Sequence, residues 1–411
     1  MKAEIISIGD ELLIGQVVNT NASWLAENLN LAGIKVSRIS VLPDDANELL
    51  SGLSEALERS DLIIATGGLG PTKDDITKNV LCQLFGSKLV MSQEILKEIE
   101  IFFSKRGYIL TEENRKQAEI PDNCIPLHNS IGTAPGLWFE KENKIFVSVP
   151  GVPFEMKELF TNRILPRLNN LGISSFIMHK TILTQGLGES FLAGLISNWE
   201  DHLPANLKLA YLPQPGIVRL RLTAEGNDKT ALSLLIKEKI EELKVIIGKY
   251  IFGYDNDTLE SIVGSLLKNS GKTLSTAESC TGGYIAHLIT SVPGSSEYFK
   301  GSVITYANEI KTGFLDVKVE TLIHYGAVSE ETVIQMAENI RKKFRTDYAV
   351  AVSGIAGPDG GTEEKPVGTV WIAIATPGKT LSKKFLFGDN RLRNIQRASL
   401  TALNLLRINI R

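Results

Sequence analysis

The chain has 411 residues, more than one hydrophobic core normally serves, so two or three domains are expected. Its formal charge is −3 with acidic and basic residues interspersed, which gives no electrostatic footprint for nucleic acid or an anionic membrane. The three cysteines, Cys82, Cys124 and Cys280, form no Cys-x-x-Cys pair, which argues against a disulfide framework or zinc ribbon and fits a reducing cytoplasm.

The first apolar run is broken by Glu4 and ended by Asp10, too brief for a secretory signal. No later run approaches a membrane span, so a cytoplasmic chain without membrane partners is expected. The periodicity then predicts a strand over 4–8, a helix over 21–31, a strand over 35–41, a helix over 46–59 and a strand over 62–66. Asp44 or Asp45 is the expected cap of the second helix. Such a βαβαβ order calls for a doubly wound parallel sheet, whose ligands bind beyond the carboxyl ends of the strands, where Gly9-Asp10-Glu11 and Thr66-Gly67-Gly68-Leu69-Gly70 fall. Asp10, Glu11, Asp74 and Asp75 are either oxygen ligands for a divalent ion such as Mg²⁺ beside a glycine-rich phosphate loop or ordinary helix caps.

Beyond Pro150-Gly151-Val152-Pro153 the composition changes. Strand over 176–184, helix over 189–199, strands over 207–212 and 217–223, helix over 228–246 and a last short strand describe a small α+β module. Asp255-Asn256-Asp257 reads as a polar hinge and cap for the helix that opens a third, α/β domain. The expected boundaries are 1–170, 171–255 and 256–411.

Within the third domain, an apolar stretch ends at Thr276-Ala277-Glu278-Ser279-Cys280-Thr281-Gly282-Gly283 and a helix begins. Ser279 is either a nucleophile exposed at a strand end, with helix N–H groups to hold an oxyanion, or a helix cap beside a tight turn. Ser270-Gly271-Lys272-Thr273 imitates a P-loop, but Leu266 stands where its first glycine is required.

Further motifs follow in order: Tyr306 to Lys311, Ser353-Gly354-Ile355-Ala356-Gly357, Lys365-Pro366-Val367-Gly368-Thr369, and Gly388 to Arg397. In this order and spacing the region from Leu259 onward resembles the nicotinamide-nucleotide amidohydrolase domain of the CinA-like (competence/damage-inducible) proteins. Gly9-Asp10-Glu11-Leu12-Leu13, Asn19-Thr20-Asn21, the run Thr66 to Asp75 and Gly132-Thr133-Ala134-Pro135-Gly136 resemble that family's molybdopterin-binding-like domain, and the middle module is similar to its KH-type domain.

The resemblance implies hydrolysis of the carboxamide of nicotinamide mononucleotide (NMN) to nicotinic acid mononucleotide and ammonia, without a cofactor. It implies Ser279 as nucleophile and Tyr306 and Lys311 as its catalytic partners; a neutral lysine can serve as base only if burial lowers its pKa. Without the resemblance, Lys311 reads as a surface charge and Tyr306 as a packed aromatic. Cys280 is a rival nucleophile in principle, although alignment with the family favours Ser279. Thr281, Gly282, Gly283, Ser353, Gly354 and Gly357 are expected to line the substrate, with Arg391, Arg393 and Arg397 as candidates for its phosphate and Arg391 the first choice. In the N-terminal domain the resemblance implies a nucleotide site at Gly67, Gly68, Gly70, Thr72 and Asp74, with Asp10 and Asp75 toward a metal for ADP-ribose cleavage. A homodimer is also implied, and a nucleic-acid partner is disfavoured because the middle module has no Gly-x-x-Gly loop between two helices.

Overall fold

The computed structural model describes residues 1–72, 75–171 and 176–410. They form two compact units, Met1–Met178 with Ala224–Ser233 and His179–Thr223 with Leu234–Arg411.

The first unit is built on a six-stranded sheet in the order Lys35–Leu42, Lys2–Ile8, Leu62–Thr66, Lys144–Val149, Gly136–Lys141, Ile125–Leu127. The first four strands are parallel and the last two join them antiparallel. Helices Thr20–Leu31 and Ala46–Arg59 are the expected crossovers, and Asp45 caps the latter by accepting from the N–H groups of Asn47 and Glu48. Alternate residues serve opposite faces. Ile5, Ile64 and Val147 pack with Leu25, Leu29 and Phe160, whereas Ile6, Ile63 and Phe146 pack with Leu49, Leu53 and Val80. Burial on both faces is why these strands read as unbroken apolar runs.

The middle module is a four-stranded sheet in the order Leu207–Gln214, Ile217–Gly226, Phe176–Gln185, Ile251–Tyr254, with helices Glu189–Asp201 and Lys229–Ile247.

The C-terminal domain has a five-stranded sheet in the order Phe299–Ile304, Leu274–Glu278, Tyr348–Gly354, Thr369–Ala375, Thr380–Leu386. Its first three strands are parallel and the remaining two antiparallel. One face presents Leu274, Val350, Val352, Ile372 and Ile374 to Leu267, Leu403 and Leu406. The other presents Ala277, Ala349, Ala351, Ala373 and Ala375 to Val333, Met336 and Ile340, small residues that let the helix Glu330–Phe344 approach that sheet face closely.

One expected cap is corrected. The helix Leu259–Ser270 is capped by Thr258, which accepts from Ser261 N at 3.2 Å while Ser261 Oγ accepts from Thr258 N at 3.0 Å. Asp257 instead turns back to accept from Tyr254 N at 2.8 Å, because the reciprocal threonine–serine pair already satisfies the helix start. The P-loop look-alike is the end of this helix: Gly271 closes it with φ 63°, and Lys272 pairs with Asp347 at 3.1 Å. Among the described residues no helix is long and apolar enough to cross a membrane.

Candidate active site

Ser279 immediately follows the strand Leu274–Glu278, which lies between its two parallel neighbours. Glu278 is in register with Ile304 on one side and Val352 on the other. Ser279, Thr305 with Tyr306, and Ser353 with Gly354 therefore emerge side by side at the carboxyl edge of the sheet, where an open α/β sheet forms its crevice. Ser279 N donates to Val352 O at 2.9 Å, which anchors the turn.

Lys311 comes from the short helix Asn308–Gly313 and is among the largest fully buried side chains, with 1% exposure. Its Nζ lies 3.2 Å from Ser279 Oγ, 2.8 Å from Thr305 O and 3.4 Å from Tyr306 O. The two carbonyls accept two N–H groups, leaving the third tetrahedral position of nitrogen directed at the serine. Burial lowers the Lys311 pKa from the ordinary lysine value. In the neutral amine that third position is a lone pair, placed to accept the Ser279 hydroxyl proton. Among the described residues no carboxylate forms an ion pair with Lys311. His287 and His324 are exposed on helices and contribute nothing to this pair.

Sequence reasoning missed Glu278, which is completely buried. Its carboxylate accepts from Thr281 Oγ1 at 2.8 Å and from the N–H groups of Gly283, Ile285 and Ala286 at 3.1, 3.0 and 2.8 Å. It thus caps the helix Tyr284–Thr290, whose N-terminal pole favours a negative charge. The signal for it was a carboxylate ending a buried strand just before a Thr-Gly-Gly turn. Thr281, Gly282 and Gly283 were expected to face the substrate, but the Thr281 hydroxyl and Gly283 N–H are occupied by Glu278, and Gly282 N donates to Ser279 O at 3.1 Å. Gly282 and Gly283 have φ of 60° and 95°, which is why glycine is needed there. Among the described residues the N–H groups of Cys280 and Thr281 donate to no backbone carbonyl and are the ones left for an oxyanion. The Cys280 thiol is buried and pushed up to about 12 by that burial, so it stays protonated near neutrality.

Tyr306 projects its ring outward, 61% exposed, and its hydroxyl accepts from Arg391 Nη2 at 2.8 Å. Its carbonyl, rather than its phenol, is what meets Lys311. Arg391 also donates through Nη1 to Gly357 O at 2.8 Å and opens the helix Arg391–Asn409, which Asn390 caps. Arg391 is thereby tied to Tyr306 at one end of the crevice and to the Ser353–Gly357 turn at the other. Ser353 Oγ donates to Ala327 O at 2.6 Å and so holds the turn rather than standing free. A Cβ on Gly354 would meet Val370 Cγ2 at 2.7 Å, and one on Gly357, φ 91°, would meet Val367 Cγ1 at 2.6 Å. Asn394, also missed from sequence, is buried and donates to Ala356 O at 3.0 Å and Gly388 O at 2.8 Å, fastening this turn to the last helix.

Arg393 and Arg397 are not brought to this crevice. At 100° per residue they stand about 200° and 240° around the helix from Arg391. They line a separate cavity against the middle module, and Arg397 donates to Phe387 O at 2.9 Å.

In the N-terminal domain Gly67 and Gly68 follow the strand Leu62–Thr66 with φ of 122° and 63°, and a Cβ on Gly67 would meet Ile8 O at 2.3 Å. The Asp75 carboxylate is not free for a metal: it accepts from Gly70 N and Thr72 N, each at 2.8 Å, and from Thr72 Oγ1. Asp10 is exposed and accepts from Asp44 N at 3.3 Å. Among the described residues no three His, Cys, Asp or Glu side chains converge as a metal site, so Asp10 and Asp75 do not fit that role; Asp74 lies outside the described residues.

Fold and site together define a class: an α/β domain carrying a buried serine–lysine pair at the carboxyl edge of a sheet, preceded in the sequence by a doubly wound domain and a small α+β module. Family models match in the same order, the "Probable molybdopterin binding domain" over 4–170, the "Damage-inducible protein CinA KH domain" over 179–253 and the "CinA C-terminal domain" over 256–410. The CinA-like protein of Cytophaga hutchinsonii is 50% identical over 98% of this chain and 97% of its own, and that of Flavobacterium psychrophilum 47% identical over 99% and 98%. Among solved structures, the competence/damage inducible protein CihA from Agrobacterium tumefaciens is 40% identical, covering 36% of this chain and 93% of that one with a TM-score of 0.35. The chain belongs to the CinA-like family.

Proposed function

We propose that the C-terminal domain hydrolyses the carboxamide of NMN, with Ser279 as nucleophile and Lys311 as general base and acid. The observation that carries this reading is the buried Lys311 Nζ, 3.2 Å from Ser279 Oγ with its other directions fixed by two carbonyls. Ser279 Oγ attacks the amide carbon as its proton passes to Lys311, and the N–H groups of Cys280 and Thr281 receive the oxyanion. Lys311 then delivers that proton to the departing nitrogen, releasing ammonia and leaving an acyl ester on Ser279. Water, deprotonated by Lys311, splits the ester to give nicotinic acid mononucleotide and free serine. Arg391, at the N-terminus of a 19-residue helix, offers positive charge and helix polarity to the substrate phosphate. The ADP-ribose cleavage implied by the resemblance has no metal-holding carboxylate set among the described residues and forms no part of this reading.

The test is ammonia release from NMN by the purified full chain, wild type against Ser279→Ala and Cys280→Ala. Ser279→Ala removes the activity by orders of magnitude and Cys280→Ala retains most of it. No ammonia from the wild type, or equal loss in both variants, overturns the proposal.

A further inference from the structure

A cavity of about 890 Å³ lies between the middle module and the C-terminal domain within the second unit, well inside the size range of small-molecule sites. Its walls carry four cations, Lys249, Lys383, Arg393 and Arg397, against one carboxylate, Glu189. Among the described residues none of these four cations is in an ion pair. Three are held over aromatic rings instead: Lys249 is 4.9 Å from the Tyr250 centroid, Lys383 is 5.3 Å from Phe385 and Arg397 is 5.2 Å from Phe387. A ring face positions a cation without neutralising it. In a chain whose net charge is −3, this is a local concentration of uncompensated positive charge in a concave space, where the field on an incoming anion is strongest.

The floor is fixed rather than loose. Gln185, 5% exposed, donates to Thr401 Oγ1 at 3.2 Å and accepts from Asn404 Nδ2, which ties the middle module to the last helix. At the rim, Gly188 begins the 13-residue helix Glu189–Asp201 with no side-chain cap, so the N–H groups of its first turn remain open to the same space. The Ser279 crevice uses none of these groups, because Arg391 projects from the other side of the helix Arg391–Asn409.

We propose that this cavity is a second ligand site, separate from the serine–lysine pair, which takes a phosphate-bearing small molecule through Lys249, Lys383, Arg393 and Arg397. ADP and inorganic pyrophosphate are the probes, since a nucleotide and a free polyphosphate share this chemistry. The experiment is competitive acetylation of the full chain with and without probe, read residue by residue by mass spectrometry, so that binding at other sites does not contribute. Lys249 and Lys383 are both exposed, and acetylation without ligand sets the reference rate for each. Millimolar ADP or pyrophosphate is expected to slow acetylation of both at least fivefold relative to surface lysines such as Lys97, and Arg393→Glu is expected to weaken that protection at least tenfold in probe concentration. ADP acting alone assigns a nucleotide, and equal action by pyrophosphate assigns the phosphates as the recognised group. The proposal is overturned if neither probe protects the two lysines, if sodium chloride of matched ionic strength protects them equally, or if Arg393→Glu, folded by circular dichroism, leaves protection unchanged.

Discussion

Replacing Glu278 by glutamine tests whether this carboxylate, one residue before Ser279, holds the site together. Glu278 Oε2 receives Thr281 Oγ1, Gly283 N and Ile285 N, and Oε1 receives Ala286 N with Ser302 Oγ at 3.4 Å. A glutamine keeps one oxygen, best placed at the Oε2 position, and then presents an NH₂ group to Ala286 N, which is left without an acceptor. A stranded buried donor costs roughly 1–3 kcal/mol. Loss of the negative charge at a buried helix N-terminus adds up to about 2 kcal/mol. The expected cost of Glu278→Gln is therefore about 2–4 kcal/mol, a fall of roughly 4–16 °C in the unfolding transition of this domain. Glu278→Ala strands every donor and empties the pocket, so it falls further. Calorimetry of the full chain measures both. A Glu278→Gln shift within about 1 °C, or equal shifts for the two variants, would show that the helix start is satisfied by something other than this carboxylate.

Because burial lowers the Lys311 pKa, NMN cleavage is expected to rise with pH as the amine loses its proton, and Lys311→Met abolishes both the activity and that rising limb, while Lys311→Arg does not rescue either. The sign for stability follows from the same shift. Between the folded pKa and the unfolded value of 10.5 the unfolded chain holds the extra proton, so stability increases with pH across that window, and urea titrations of Lys311→Met should show a flatter dependence there. With its thiol pushed up to about 12, Cys280 should resist iodoacetamide in the native chain at pH 7.5 (about neutral) and label readily in urea; rapid native labelling would contradict its burial. Arg391→Ala should raise KM for NMN at least tenfold with a smaller effect on kcat, whereas Leu392→Ala, 74% exposed beside it, should leave both near wild type.

The fold was largely readable because its strands are buried on both faces and its helices carry regular apolar stripes, as in Leu62–Thr66 and Ala46–Arg59. The antiparallel strand Ile125–Leu127 escaped, since a short edge strand with a proline has little periodicity to display. At the site, a nucleophile at a strand end and a lysine on the next helix can be proposed from motif order, but their 3.2 Å approach depends on the register of strands far apart in sequence. Glu278 and Asn394 escaped because a buried polar residue declares its role only through the donors and acceptors that surround it. Arg393 and Arg397 stood beside Arg391 as candidates for the phosphate, and counting positions around the helix is what separates the two from it.

Lys311 is steered by the main-chain oxygens of residues 305 and 306, and every amino acid supplies such an oxygen. The orientation of the amine is therefore insulated from mutation at those two positions so long as the backbone path is kept. Tyr306 is thereby released to vary its ring toward whatever meets Arg391, and that end of the crevice can drift across generations without disturbing the contact between Ser279 and Lys311.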